Sequence, residues 1–128
     1  MKILLDTQAF LWISMDAPQL SNKAKKIFLD DKNEFLLSLA SIWEITIKTS
    51  IKKLALTKSV KQFILGQFEQ MPITQLNISF RHVVYLETLP FYHRDPFDRL
   101  LISQSLEDKL PVLSSDKIFD KYGIKRVW

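Results

Sequence analysis

The chain has no cysteine, two glycines and five prolines among its 128 residues. Without cysteine there can be no disulfide and no thiolate metal site, which fits a cytoplasmic protein. With so little glycine and proline the loops should be short, and no linker, repeat or low-complexity tract breaks the sequence. No apolar run approaches the roughly 18 to 20 residues that cross a bilayer, so no membrane partner is expected. The start, Met1-Lys-Ile-Leu-Leu5, meets Asp6 too soon for the apolar stretch of a signal peptide. The two histidines, His82 and His93, do not form a pair with ligand spacing. What is present, 47% hydrophobic and 25% charged residues, is the composition of a globular protein, expected to form one domain over residues 1–128. The net charge of +4 permits a polyanionic partner without requiring one.

Short apolar runs alternate with helical patterns. Strands are expected at 2–6, 35–37, 74–76, 112–113 and 125–128, the last at a sheet edge. Helices are expected at 8–13, from Ser21 to Asp31, from Ser41 to Leu54, from a Thr57 cap to about residue 71, from Ser79 to Thr88, from Asp95 to Asp108, and after Ser115 up to Gly123. This alternation implies βαβ units and a parallel sheet covered on both faces, an α/β fold with a helical hairpin inserted between the second and third strands. Trp12, Trp43 and Trp128 read as core residues, and His82 as a packing residue within a helix.

Four acids fall where such a fold keeps its chemistry, at the carboxyl ends of strands and the starts of helices. Asp6 ends the first apolar run, where an unpaired carboxylate is costly. Glu44 follows the second strand. Taken alone it has a structural explanation, because Ser41-Ile-Trp-Glu44 matches a capping box and Glu44 stands four residues before Lys48. Asp98 begins the buried face of a helix in which Asp95-Pro96 reads as N-cap and first residue. Asp95 therefore remains a supporting or alternative ligand. Asp116 follows the fourth strand and could equally be a helix-terminal charge. If the four converge, their repulsion calls for a cation, and an all-carboxylate set suits Mg²⁺ or Mn²⁺. Lys48 and Lys52 lie on a basic stretch able to track phosphates, and His93 and Arg94 occupy the turn before Asp95. These four are candidate nucleic-acid contacts.

The segments Leu4-Leu-Asp6-Thr7, Ser41-Ile-Trp-Glu44-Ile45, His93-Arg-Asp-Pro-Phe-Asp98-Arg-Leu-Leu-Ile102 and Leu113-Ser-Ser-Asp116 resemble, in order and rough spacing, those of PIN-domain ribonucleases. They are most similar to the VapC-type toxins of bacterial toxin–antitoxin pairs. The resemblance spans essentially the whole chain, and its most specific stretch is Asp95-Pro-Phe-Asp98-Arg-Leu-Leu-Ile102. It implies a three-layer α/β/α sandwich with a parallel sheet of about five strands. It also implies an Mg²⁺ or Mn²⁺ site built from Asp6, Glu44, Asp98 and Asp116, supported by Thr7, Ser115 and Arg99. The implied activity is metal-assisted endonucleolytic cleavage of RNA, leaving 5′-phosphate and 3′-hydroxyl ends. A cognate antitoxin and a homodimer are the implied protein partners.

Two other classes fit less well. A phosphoryl-transfer enzyme of the haloacid-dehalogenase type would need Asp-x-Asp at the first strand, but the second position here is Gln8. A non-catalytic nucleic-acid or protein-binding module with a degenerate site would leave the acids as helix caps. Metal-dependent nuclease activity separates that reading from the first.

Overall fold

Side chains alternate across the first strand, β1 (Lys2–Leu5), in the computed structural model, which describes residues 1–128. Ile3 and Leu5 enter one hydrophobic cluster and Leu4 the other. The same alternation divides Phe35 and Leu37 from Leu36 in β2 (Glu34–Ser38), and Leu113 from Val112 in β4 (Val112–Leu113). Strands buried on both faces read as unbroken apolar runs, which is why their sequences lack polar alternation. With β3 (Ile73–Leu76) and β5 (Arg126–Val127), they form a five-stranded sheet in the order β3-β2-β1-β4-β5, parallel throughout.

Helices cover both faces. On one, α1 (Thr7–Ser14), α2 (Asn22–Leu29) and α4 (Val60–Gln70) contribute Phe10, Leu11, Ile13, Ala24 and Ile64. On the other, α6 (Pro96–Asp108) and a 3₁₀ helix at Lys117–Tyr122 contribute Leu100, Leu101, Ile102 and Phe119, with α5 (Phe80–Tyr85) packed on α6. Each fully buried Leu, Ile or Phe contributes about 1.5–3 kcal/mol of transfer free energy. Helix α3 (Leu39–Ser50) belongs to both layers: Ala40 joins one cluster, Ile45 the other, and the helix packs against α1 and α6. The result is the expected three-layer α/β/α sandwich.

The chain runs outward from β1 to β2 and β3, then returns past β1 to β4 and β5. The reversal between β1 and β4 is the place where an open parallel sheet leaves a crevice at its carboxyl edge. The backbone closes tightly there, with the Asp6 N–H donating to the Leu113 carbonyl at 3.2 Å.

Local capping explains most element boundaries and corrects two of them. Ser21 caps α2 and Asp95 caps α6 with Pro96 in the first turn, as the sequence suggests. Helix α3 is capped by Ser38, not Ser41: its hydroxyl accepts from the Ala40 N–H at 3.0 Å. Strand β2 passes into α3 without a loop, so the last strand residue doubles as the cap. The Ser41-x-x-Glu44 pattern lies one turn further in. Helix α4 is likewise capped by Ser59, not Thr57. Trp43, expected in the core, is instead 55% exposed, and Ile51 faces solvent, while Ser41, Glu44 and Ile45 point inward.

Candidate metal centre at the sheet reversal

Asp6 leaves β1 as the N-cap of α1, its Oδ1 accepting from the Ala9 N–H at 2.6 Å. Glu44 extends from the second turn of α3 and is 7% exposed. Asp98 lies in the first turn of α6, and Asp116 caps the 3₁₀ helix after β4, its Oδ1 accepting from the Ile118 N–H at 2.9 Å. With Asp95, Thr7, Gln8, Leu11, Lys48 and Ser115 these acids line one cavity of about 310 Å³, in which Leu11 is the sole hydrophobic residue. A cleft of equal volume between the end of α1 and α4 contains no carboxylate. Chemistry rather than size therefore distinguishes the acidic cavity.

The cavity is electrostatically loaded. Burial pushes the Asp6 carboxyl up to about 6, opposed by hydrogen bonds from Ser114 and the Ala9 N–H and reinforced by Asp116 and Glu44. Burial also pushes Asp98 up to about 7, with the adjacent Asp95 charge adding to the shift and His93 opposing it. The hydrogen bond to Glu44 raises Lys48, whose Nζ stands 2.8 Å from Glu44 Oε2 on the cavity rim. The other carboxylate oxygen, Glu44 Oε1, is buried and has no hydrogen-bond partner. An unpartnered buried carboxyl oxygen among three further carboxyl groups fits a hard divalent cation.

The supporting residues are arranged differently from the sequence expectation. Thr7 is buried and donates its hydroxyl to Ser41 Oγ at 2.9 Å, tying α1 to α3 beside the acids. Ser115 is exposed on the cavity rim, whereas its neighbour Ser114 is fully buried and donates to Asp6 Oδ2. Arg99 turns away from the acids. Its guanidinium donates to the carbonyls of Pro90, His93 and Leu89 at 2.9, 3.2 and 3.1 Å, and it stacks on the Phe91 ring at 3.7 Å. It anchors the segment before α6 instead of touching the cavity. Asp95 is satisfied as N-cap, its Oδ1 accepting from the Phe97 and Asp98 N–H groups. Lys52 and Arg94 are exposed outside the cavity lining.

His93, expected to project from its turn toward a phosphate, lies instead within the acid cluster. Its Nε2 is 3.1 Å from Asp98 Oδ2 and 3.0 Å from Asp116 Oδ2. The sequence carried a weak signal for this, the position of the histidine two residues before the Asp95 cap. Nothing in the sequence distinguished Ser114 from Ser115.

The PIN-domain family model matches residues 3–125. The chain, with its doubly covered parallel sheet, thus belongs to the PIN-domain family. No curated protein sequence matches it. Solved structures share the fold at low identity. VapBC2 from Rickettsia felis, bound to a DNA fragment from its promoter, is 14% identical with a TM-score of 0.72, over 99% of this chain and 98% of that one. DNA-bound VapBC from Salmonella typhimurium is 12% identical with a TM-score of 0.70, over 99% and 97%. FitAcB from Neisseria gonorrhoeae is 17% identical with a TM-score of 0.66, over 100% and 97%. No helix of the chain is long and apolar enough to cross a membrane.

Proposed function

We propose that this protein is an Mg²⁺-dependent endoribonuclease and the VapC-type toxin of a toxin–antitoxin pair. The observation that carries the reading is the convergence of Asp6, Glu44, Asp98 and Asp116 on one polar cavity, with Glu44 Oε1 unpartnered. These four carboxylates would hold the ion, with Mn²⁺ as the alternative metal. Once bound, the ion would supply positive charge to the scissile phosphodiester and acidify water for in-line attack.

The protein's own groups have separate tasks in this reading. Asp6 and Asp98 supply anionic oxygens once deprotonated, which their raised pKa values of about 6 and 7 confine to neutral and higher pH. Lys48, 46% exposed at the rim, is placed to donate to a phosphate oxygen of the RNA. Lys52, Lys53, Lys58 and Lys61 continue an exposed basic path from α3 toward α4 and would follow the RNA backbone. Arg94 would add a phosphate contact on the other side. Attack would leave 5′-phosphate and 3′-hydroxyl ends.

The similarity to VapBC and FitAcB structures supports a protein antitoxin as partner. A Lys or Arg sent by that partner into the acids would neutralise them without supporting hydrolysis. A homodimer belongs to the same reading, and the exposed Phe80, Val83 and Val84 of α5 offer apolar surface for it. The test is cleavage of RNA by the purified full chain with Mg²⁺, its loss with EDTA or Asp6→Asn, and growth arrest on expression relieved by the product of the adjacent upstream gene. Equal cleavage by wild type and Asp6→Asn would refute a nuclease centred on this cavity. Light scattering of the purified chain reports the dimer.

A further inference from the structure

His93 is fixed on every side. Its backbone N–H donates to Tyr122 Oη at 2.8 Å, and its carbonyl accepts from Arg99 Nη1 at 3.2 Å. Tyr122 in turn donates to the Pro90 carbonyl at 2.6 Å, so both partners hold the segment leading into α6. The ring stands edge-on to Phe119, centroids 6.3 Å apart, and the side chain is only 12% exposed. The Asp95 N–H points at Nδ1 from 3.3 Å. Nδ1 must therefore present its lone pair, which places the ring proton on Nε2. That N–H donates to Asp116 Oδ2 at 3.0 Å, and Asp98 Oδ2 lies 3.1 Å from the same nitrogen.

We propose that His93 is a positioning residue that holds Asp98 and Asp116 together as a cation-binding pair, without being a ligand itself. The proposal rests on the metal-binding reading of the cavity. Asp98 belongs to α6 and Asp116 to the turn after β4, so no shared element fixes their separation, and their charges push them apart. An imidazole N–H donated to Asp116, its nitrogen also in contact with Asp98, opposes that separation. Binding a cation at Nε2 would move the proton to Nδ1, where it would confront the Asp95 N–H with no acceptor between the two donors. Hydrogen bonds to ligating carboxylates are the kind of support whose removal costs about 10- to 100-fold in metal affinity.

The probe is Mn²⁺ alone, titrated into the full chain at fixed neutral pH, with free ion read by electron paramagnetic resonance and folding checked by circular dichroism. His93→Ala is expected to weaken Mn²⁺ binding by about 10- to 100-fold. His93→Gln, whose amide N–H extends to the same place as Nε2–H, is expected to recover most of that loss. Spin-echo spectra of bound Mn²⁺ in the wild type should lack the coupling of a directly ligated imidazole nitrogen. Binding by His93→Ala as tight as wild type overturns the proposal, as does a Gln variant no better than Ala. A direct nitrogen coupling that vanishes in His93→Ala also overturns it and makes His93 a ligand. A wild type that binds no Mn²⁺ removes the metal reading of the cavity as well, so the two failures are distinct.

Discussion

The Ser114 hydroxyl donates a hydrogen bond to Asp6 Oδ2, joining two residues 108 positions apart at the ends of adjacent strands β1 and β4. Ser114 Oγ also accepts from the Asp116 N–H at 3.0 Å. One buried hydroxyl thus orients two of the four acids. Without it, Asp6 loses the partner that most opposes the effect of burial.

Ser114→Ala is accordingly expected to raise the Asp6 carboxyl further above about 6 and to move the onset of metal binding to higher pH. Leaving Oδ2 unsatisfied should also destabilise the fold by about 1–3 kcal/mol. Mn²⁺ titrations between pH 5 and 9, with denaturant melts, test both effects. An unchanged binding profile would show that Ser114 does not set the charge of Asp6.

Stability of the metal-free protein should fall as pH rises. Asp6 and Asp98 have folded pKa values of about 6 and 7 against 3.8 for the free carboxyl, so the folded state binds protons more tightly in that window. Their contribution is fully present below pH 3.8 and is lost as pH rises to about 7. At about 1.4 kcal/mol per unit, Asp6 accounts for on the order of 3 kcal/mol. Melting temperatures with chelator should drop by several degrees between pH 5 and 8, and saturating Mg²⁺ should restore stability at pH 8. A melting temperature that rises across the same window would contradict the buried-acid account.

Asp98→Asn and Asp95→Asn should behave differently although the residues are three apart. Asn at 95 still caps α6, and loss of the Asp95 charge lowers Asp98, so cleavage should persist and extend to lower pH. Asn at 98 removes an anionic oxygen from the cavity and should reduce cleavage by about two orders of magnitude while stabilising the metal-free protein at pH 8. The reverse ranking in a ribonuclease assay would transfer the ligand role to Asp95.

Arg99→Lys keeps the charge but loses the fork that reaches the carbonyls of Pro90, His93 and Leu89. Hydrogen bonds from a charged donor contribute about 1.5–3 kcal/mol each, so a loss of at least 2 kcal/mol is expected by chemical denaturation. Metal affinity should fall along with it, because His93 is held by the same guanidinium. A loss under 0.5 kcal/mol, the scale of a surface substitution, would mean the segment is held by other contacts.

The α/β class, the five strands and the order of acids were legible in the sequence because each rests on local chemistry. Strands buried on both faces require runs such as Ile3-Leu4-Leu5 and Phe35-Leu36-Leu37, and Asp95-Pro96 caps a helix wherever it occurs. Cap positions were less legible: Ser38 and Ser41 are both able to cap α3, and the choice depends on where β2 stops pairing with β3 at Ser38–Leu76. The exposure of Trp43 was hidden for a related reason. Two faces of α3 are apolar, and only packing against α1 and α6 turned the one carrying Glu44 and Ile45 inward.

The sequence by itself determined which residues could supply anionic oxygens and that they would gather at the carboxyl edge of a parallel sheet. Only the tertiary structure decided how those oxygens are held: Ser114 rather than Ser115 against Asp6, His93 between Asp98 and Asp116, and Arg99 turned toward the carbonyls before α6. These contacts join strand ends and helix starts far apart in the chain. Hydrogen bonds act over about 3 Å, whereas sequence patterns define faces and periods, so contacts of this kind exist only once the sheet has brought β1 beside β4.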